Sequence, residues 1–311
     1  MFNKIDFSAH EHGLKAPAIS YGMGPQILNF FRHSKRKLLT GGFAETVHLF
    51  LKDLEKQNGA FRHPDGKYVV NLSFDLELGF NTPFWEGDLR KALAYGTSAQ
   101  NNFLSLLGYL REERIPSNVQ IAGLLMDEEL TMLSLFSPAQ REAIRNHREL
   151  FALSHEDVAM LISPDIEAGI HGFSHRHFTE LSSQDADYEM RNVVRVFEKK
   201  FGKAPEFMSF PKNYIAHTDV VKKHGVKCWR ADRQHPLTDF EIPLGLWFAP
   251  GVLGASDLGR LLAKIKESHM GYFLHLWGHF TEMDVRVFAE LLDVIKSAGW
   301  KCTTVKNFKQ Y

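Results

Sequence analysis

From residue 67 onward, short apolar segments rich in β-branched and aromatic residues alternate with longer segments of helical periodicity. A strand followed by a helix, repeated along the chain, favours parallel pairing, because each crossover returns the chain to the same end of the sheet. This alternation favours a (β/α) barrel over an open sheet, although periodicity alone leaves the closure of the barrel open. The predicted strands cover residues 69–74, 119–125, 166–171, 206–211, 226–231, 271–277 and 301–305.

Three helices are predicted from apolar stripes with recognisable ends. One runs from Ser182, with Asp185 completing a capping box, to a stop at Gly202. The others cover residues 98–114 and 281–298, and Asp284 completes the cap of the second. The inward-facing residues are Phe103, Leu106, Leu107 and Leu110 in the first of these two helices, Met190, Val193, Val194, Phe197 and Phe201 in the helix after Ser182, and Val285, Phe288, Leu291, Leu292 and Ile295 in the last.

Residues 1–66 differ from the rest because they contain few strand signals. We expect them to form a helical extension that packs on a barrel domain of residues 67–311. An alternative is that the basic residues between Arg32 and Lys37 form a patch that faces an anion or a membrane.

Composition excludes several classes of function. The chain has 37 Lys and Arg against 37 Asp and Glu, so it lacks the basic balance of a protein that wraps nucleic acid. It contains no apolar run long enough for a membrane span and no export signal at its N-terminus, so we expect a cytoplasmic protein. Two cysteines are too few for a disulfide scaffold or a cysteine-based zinc site, whereas 16 histidines direct attention to imidazole chemistry.

Two carboxylates follow the first predicted strand. Asp75 and Glu77 are two residues apart, so in an extended chain they project to the same side. Such a pair is stable when a cation lies between the two groups or when one of them is protonated, and both situations are typical of catalytic sites. The alternative is a pair of solvated loop acids.

Two pairs of histidines have the four-residue spacing that lets both imidazoles bind one ion. They are His171 with His175 and His275 with His279. About one such pair is expected by chance at this histidine content, so spacing proves little by itself. Both pairs are predicted to begin at the end of a strand, on the same rim as the two carboxylates. A buried histidine that only packs in the core is the alternative for His275 and His279.

Five motifs in order resemble those of the polysaccharide deacetylase, or NodB-homology, family: SFDLE, HGFSHRHF, FMSFPKN, WRAD and FLHLWGH. The resemblance covers roughly residues 67–311. It implies a distorted (β/α)₇ barrel and a divalent metal, commonly zinc with cobalt, nickel or manganese as alternatives. The implied reaction is the hydrolysis of N-acyl groups on amino sugars.

The resemblance also implies roles for individual residues. Asp75 matches the catalytic base, and His171 and His175 match metal ligands. Glu77 is the candidate third ligand, because Leu76 stands where the commonest pattern has a second aspartate. His275 matches the general acid, and Asp232 matches the acid that orients it.

The third motif departs from the family pattern. The arginine that holds the catalytic carboxylate in the family aligns with Met208 or Ser209 here. Lys212 is a candidate for the missing positive charge and for substrate binding, although a lysine cannot reproduce a bidentate grip. The further candidates for substrate binding are Trp85, Trp277 and His279.

Three functions follow from these observations. The leading one is a metal-dependent deacylase acting on an amino-sugar substrate, nucleotide- or lipid-linked, in the synthesis of a surface polysaccharide. The second is a hydrolase of non-sugar C–N bonds, such as imides or ureido acids. The third is a catalytically silent homologue that only binds, which the missing arginine and Leu76 support. The sequence leaves the oligomeric state open.

Overall fold

The computed structural model of the chain describes residues 66–129, 133, 136–230, 241–242, 246–247, 255–267 and 272–309. The predicted extension of residues 1–66 lies outside the described residues except for Gly66.

The described strands form one parallel sheet with the order β6-β5-β4-β3-β2-β1-β8-β7, and β9 pairs with β1. The sheet is curled, with helices packed on it, and the predicted NodB-type (β/α) barrel is confirmed. The strands are β1 Tyr68–Leu76, β2 Ser117–Ile121, β3 Ile166–Ile170, β4 Phe207–Met208, β5 Cys228–Arg230, β6 Glu241–Ile242, β7 Leu246–Trp247, β8 Tyr272–His279 and β9 Lys301–Thr303.

Helices connect the strands and bury their apolar faces against the sheet. They are α1 Thr82–Trp85, α2 Leu89–Glu112, α3 Pro138–Asn146, α4 Arg148–Phe151, α5 His155–Leu161, α6 Ser183–Phe201, α7 Thr218–Lys223, α8 Ala255–Glu267, α9 Val285–Ser297 and α10 Val305–Lys309. Short 3₁₀ turns cover Leu78–Phe80, Gly123–Met126, Phe178–Glu180, Pro211–Asn213 and Phe280–Glu282. Within the described part of the chain, none of the helices combines the length and apolarity that crossing a membrane requires.

The seven predicted strands are present, and the predicted helix after Ser182 is confirmed with Ser182 and Gly202 at its ends, while the Asp185 carboxylate accepts from the Ser182 hydroxyl at 2.8 Å. Ser182 accepts a hydrogen bond from the backbone N–H of Asp185, and Gly202 ends the helix in the left-handed conformation. Two predicted helix starts were wrong. α2 begins at Leu89, nine residues earlier than predicted, because Asp88 caps it and the small residues Ala92, Gly96 and Ala99 extend its buried face. α9 begins at Val285, after a separate 3₁₀ turn.

The interior of the barrel is polar in its middle layers, unlike the surface beneath the helices. Asn71 donates to the Oδ1 of Asn118 at 2.7 Å, and Ser73 donates to the Oε1 of Gln120 at 2.7 Å. Asn71 and Ser73 have the same parity as Asp75 on β1, so the three side chains point to the same side of the sheet. The sequence therefore builds a buried polar column that leads up to Asp75.

Five apolar residues lie below this column and form a small core of their own, separate from the large core between sheet and helices. This basal cluster consists of Val69, Phe207, Cys228, Phe273 and Val305. Val69 and Phe273 are paired in register near the N-terminal ends of β1 and β8, opposite to the end where Asp75 lies. Apolar contacts thus occupy the lower end of the barrel, and polar groups occupy the upper end.

A glycine allows β3 and β4 to approach each other beneath the upper end. A Cβ on Gly169 would lie 2.6 Å from the carbonyl oxygen of Phe207, a backbone atom that cannot rotate away. We expect Gly169→Ala to lower the free energy of unfolding by about 1–3 kcal/mol through overpacking. Gly108→Ala is the matched control, because a Cβ there meets nothing within 4 Å on α2 and should raise stability by about 0.5–1 kcal/mol. Urea unfolding of both variants measures the difference, and equal stabilities would contradict the expectation.

Candidate active site

Three side chains that follow β1 and β3 converge at the upper end of the barrel. The Nε2 of His175 lies 2.9 Å from the Oε1 of Glu77, and the Nε2 of His171 lies 3.3 Å from the same oxygen. One potential ligand atom from each of the three residues lies within 4.8 Å of the other two. Both histidine side chains are almost fully buried, and that of Glu77 is 12% exposed. The structure thus brings together the three residues that the sequence proposes as metal ligands.

Left-handed backbone conformations place these groups. Gly172 has a φ of 69° and His175 a φ of 59°, so the chain from residue 171 to 177, which we call the histidine loop, folds back over the end of β3. Leu78 has a φ of 45° and turns the chain directly after Glu77. Non-glycine residues rarely adopt this conformation, and such strain is concentrated at functional sites.

The charge states of this cluster suit metal binding. Burial raises the pKa of Glu77, but the neighbouring imidazole of His175, with hydrogen bonds from His171 and His175, holds it well below its ordinary value. Burial lowers the pKa of His175 in spite of the Glu77 carboxylate. The carboxylate of Glu77 and the neutral imidazole of His175 are the forms in which these two residues bind a metal ion.

A buried arginine holds Asp75. Arg230, at the end of β5, donates from Nη1 to Oδ1 of Asp75 at 3.2 Å and from Nη2 to Oδ2 at 2.5 Å, and both side chains are at most 2% exposed. The guanidinium also donates from Nε to the Oδ1 of Asn213 at 2.8 Å and packs on the ring of Trp277 at 4.6 Å. Arg230 thus makes the planar bidentate contact with Asp75 that no residue of the third motif can make.

The Arg230 guanidinium determines the charge of Asp75. Burial by itself would raise the pKa of Asp75, but Arg230, and after it His171 and His279, lower that pKa to about 2. Asp75 is therefore ionised throughout the neutral range. The two carboxylates are stable near each other because each has its own partners, Arg230 for Asp75 and the imidazoles for Glu77.

Ser209 connects the carboxylate to the ligand cluster. Its hydroxyl donates to Oδ1 of Asp75 at 3.0 Å and lies 2.7 Å from the Nδ1 of His171. Its carbonyl oxygen lies 2.9 Å from the same nitrogen. With a metal ion bound, Nδ1 of His171 would carry the proton and donate to this carbonyl, which leaves the lone pair of Nε2 for the ion, the usual arrangement of a metal-binding histidine.

Sequence reasoning missed Arg230 and placed the positive charge on Lys212 instead. The signal was present in the sequence, since Arg230 stands within a predicted apolar strand, and a charged residue there requires a buried partner. Lys212 is exposed, in the left-handed conformation at φ 55°, and its charge contributes, after burial, to the lowered pKa values of His175 and His177. It lies beside the site without holding Asp75.

His275 does not lie at the rim, which corrects its predicted position. β8 continues to His279, so His275 is in mid-strand, paired in register with Asn71 and fully buried. His279 is the residue in register with Asp75, and its Nε2 lies 3.7 Å from the Oε1 of Glu77 with a side chain 31% exposed. Four residues of strand span about 13 Å, which separates the level of His275 from that of Asp75.

The remaining predicted residues divide into three groups. Trp277 lies in the site, where its ring packs on Arg230 and meets His279 edge to face at 5.9 Å. Trp85 packs against Phe84 and Phe136, and its indole N–H donates to the carbonyl of Phe80, so its role in substrate binding stays a prediction. Asp232 lies outside the described residues.

The donor set fits the metal that the fold family implies. Two imidazole nitrogens and one carboxylate oxygen are the protein ligands of many catalytic zinc sites, which keep a further position open. The ion would be held by Glu77, His171 and His175. Divalent metals other than zinc also accept this set.

Comparison with known proteins agrees with the motifs. A family model described as "Polysaccharide deacetylase" matches residues 92–229, which include the histidine loop but neither Asp75 nor β8. The resemblance to the polysaccharide deacetylases that the motifs indicate is confirmed over these residues. No curated protein matches the chain in sequence.

Solved structures resemble the chain at low sequence identity, and the first of those described below shares its fold. A candidate polysaccharide deacetylase from Mycobacterium smegmatis has a TM-score of 0.55 at 14% identity, covering 79% of this chain and 91% of that chain. A family 4 carbohydrate esterase from Streptomyces lividans in complex with acetate has a TM-score of 0.43 at 13% identity, covering 76% and 92%. A family 4 pseudoenzyme from Bacillus anthracis has a TM-score of 0.48 at 11% identity, covering 80% and 68%.

The buried pair of Asp75 and Arg230 predicts a large mutational effect. Arg230→Met leaves a buried carboxylate without its cation, so we expect a loss of about 3–5 kcal/mol in the free energy of unfolding at pH 7. The double variant with Asp75→Asn should lose less than the sum of the two single variants. Urea unfolding of the four proteins measures the coupling, with Arg195→Met on the exposed side of α6 as the control. Additive losses would show that the pair is not coupled.

The same pair predicts a pH dependence. The pKa of Asp75 in the folded protein is about 2, below its ordinary value of 3.8, so the stabilisation is complete above about pH 4. It is lost as the pH falls toward 2. The difference in stability between the wild type and Arg230→Met should therefore shrink between pH 4 and pH 2, as acid titration of both proteins would measure.

Proposed function

We propose that the protein is a metal-dependent deacylase that removes an N-acetyl or similar acyl group from an amino-sugar substrate. One observation carries the proposal: a ligand set of one carboxylate and two imidazoles lies at the same end of the barrel as a carboxylate held ionised by arginine. The shared fold and the family support the substrate class. Zinc, a cytoplasmic location, a nucleotide- or lipid-linked substrate and a part in surface-polysaccharide synthesis remain predictions from the sequence.

Hydrolysis of an amide requires an activated nucleophile, a stabilised oxyanion and a proton for the leaving amine. When bound, a divalent cation supplies Lewis acidity, which lowers the pKa of water and stabilises negative charge on the acyl oxygen. Asp75 accepts the proton of the attacking water, because Arg230 keeps it anionic, and Ser209 and Arg230 fix its two oxygens. His279, protonated, donates to the departing amine.

Position supports His279 rather than His275 as the general acid. His279 is level with Asp75 and partly exposed, so a substrate above Glu77 can reach its ring. Trp277 meets the His279 ring edge to face and is itself packed on Arg230, which restricts the orientation of the imidazole. His275 lies beneath this level in the polar column.

Arg230 also bears on the alternative of a catalytically silent homologue. One support for that alternative was the missing arginine of the third motif, and a bidentate arginine on the same carboxylate removes it. The other was Leu76, which faces the large core rather than the site, while Glu77 supplies the carboxylate. An active enzyme is therefore the function that the geometry supports best.

The experiment is an assay of acetate release by the purified, zinc-loaded protein. We expect release from oligomers of N-acetylated hexosamine or from a nucleotide-linked N-acetylated amino sugar, and none from cyclic imides. Asp75→Asn should bind zinc as the wild type does and lose at least about a hundredfold in kcat. A zinc-loaded wild type that releases no acetate from any N-acetylated sugar would refute the proposal, and turnover of imides alone would favour the second function.

A matched pair of histidine variants tests the assignment of the acid. We expect His279→Ala to lower kcat by about 10²–10⁴-fold, because it removes the proton donor, and His275→Asn to lower it less than about tenfold. Thermal unfolding of both variants controls for loss of fold. A larger loss of kcat in His275→Asn than in His279→Ala would return the role to His275.

A further inference from the structure

The two histidines of the candidate metal centre are oriented in different ways. The ring of His171 is fixed through its second nitrogen, since Nδ1 contacts both the carbonyl oxygen and the hydroxyl of Ser209. The Nδ1 of His175 is buried and has no hydrogen-bond partner among the described residues. A metal-binding histidine usually has such a partner, which fixes the direction of its ring. The direction of the His175 ring therefore depends on the backbone that carries it.

Two sets of hydrogen bonds hold that backbone. On one side, the carbonyl oxygens of Gly172 and Phe173 accept from the N–H groups of Gly123 and Leu124, each at 2.9 Å. These bonds run between backbone groups at the ends of β2 and β3. They leave the N–H groups of residues 173 and 174 to be satisfied elsewhere, and both residues are fully buried.

Glu189, on the buried face of α6, provides the second set. Its Oε2 accepts from the backbone N–H of Phe173 at 3.0 Å and from that of Ser174 at 2.8 Å, and its Oε1 accepts from the hydroxyl of Ser174. Glu189 is 1% exposed and lies in the apolar stripe of α6 next to Met190. Burying a carboxylate at this position costs more free energy than burying an apolar side chain. The three hydrogen bonds to the histidine loop offset that cost.

We infer that Glu189 is the positioning residue of this metal centre: through the backbone of Phe173 and Ser174 it sets the direction in which His175 presents its ring to Glu77. The inference rests on the proposed function, in which His175 is a ligand. Glu189 acts one residue before that ligand and touches neither metal nor substrate. The hydrogen bonds accepted by Glu189 hold Phe173 and Ser174, which lie between the two residues of the loop with left-handed backbone, Gly172 and His175.

The test is zinc binding by the folded protein, measured by competition with a chromophoric chelator. Glu189→Gln keeps the size of the side chain but replaces the charged acceptor with a neutral amide: its oxygen can accept from the two backbone N–H groups, and the Ser174 hydroxyl must then accept from the N–H₂ instead of donating. We expect zinc affinity to fall by about 10- to 100-fold, the usual loss for an outer partner of a metal ligand. The absorption spectrum of the cobalt-substituted protein should change as well, because it reports the arrangement of the ligands. Glu198→Gln, at an exposed position of the same helix, is the matched control and should bind zinc as the wild type does.

Ser174→Ala provides a second variant if Glu189→Gln does not fold. It removes one of the three hydrogen bonds and leaves both backbone N–H groups on the carboxylate, so we expect zinc affinity to fall by about two- to tenfold. Unchanged zinc affinity and an unchanged cobalt spectrum in a folded Glu189→Gln, or in Ser174→Ala where the first variant is unfolded, would overturn the inference.

The wild type separates this inference from the proposed function. A wild type that binds zinc but releases no acetate refutes the deacylase and leaves the role of Glu189 to be decided by the variants. A wild type that binds no zinc overturns both.

Discussion

The buried contact between Arg230 and Asp75 is the interaction on which the upper end of the barrel depends. It joins β5 to β1, which are 155 residues apart in the chain and are not neighbours in the sheet. A charged pair at this depth is tolerated only with further hydrogen bonds, and Ser209 gives one to Asp75 while Asn213 accepts one from Arg230. The polar column of Asn71, Ser73 and their partners on β2 extends this environment downward, so that a charge in the barrel interior is surrounded by dipoles.

The site is assembled from two kinds of support. Strands position Asp75, Arg230 and His279, whose register is set by backbone pairing along the length of the sheet. His175 lies on the histidine loop, which follows β3 and is not part of a strand, so the side chain of Glu189 helps to hold its backbone. The division is physically reasonable: Asp75 and Arg230, which form a fixed ion pair, lie on strands, whereas His175 lies on a segment with left-handed backbone.

Much of the fold could be predicted from the sequence because alternating periodicity identifies strands and helices locally. Ser182 and Gly202 mark the ends of α6 in both sequence and structure, since caps depend on neighbouring residues only. β6 and β7 have two residues each, too few for any periodic pattern. β8 continues two residues beyond the predicted end at Trp277, and His279 rather than His275 therefore lies level with Asp75. Arg230 could not be paired with Asp75 from sequence because nothing local specifies which distant carboxylate meets it.

The basal cluster determines from which end of the barrel a solute can approach the site. Val69, Phe207, Cys228 and their neighbours pack together at the lower end, so among the described residues they close the barrel on the side away from Asp75. The upper end, where the side chains of Glu77 and His279 are partly exposed, is the side from which a solute would meet them. Under the proposed function, a sugar chain would lie across the upper end with its acyl group directed toward Glu77, and the released acid would leave on the same side.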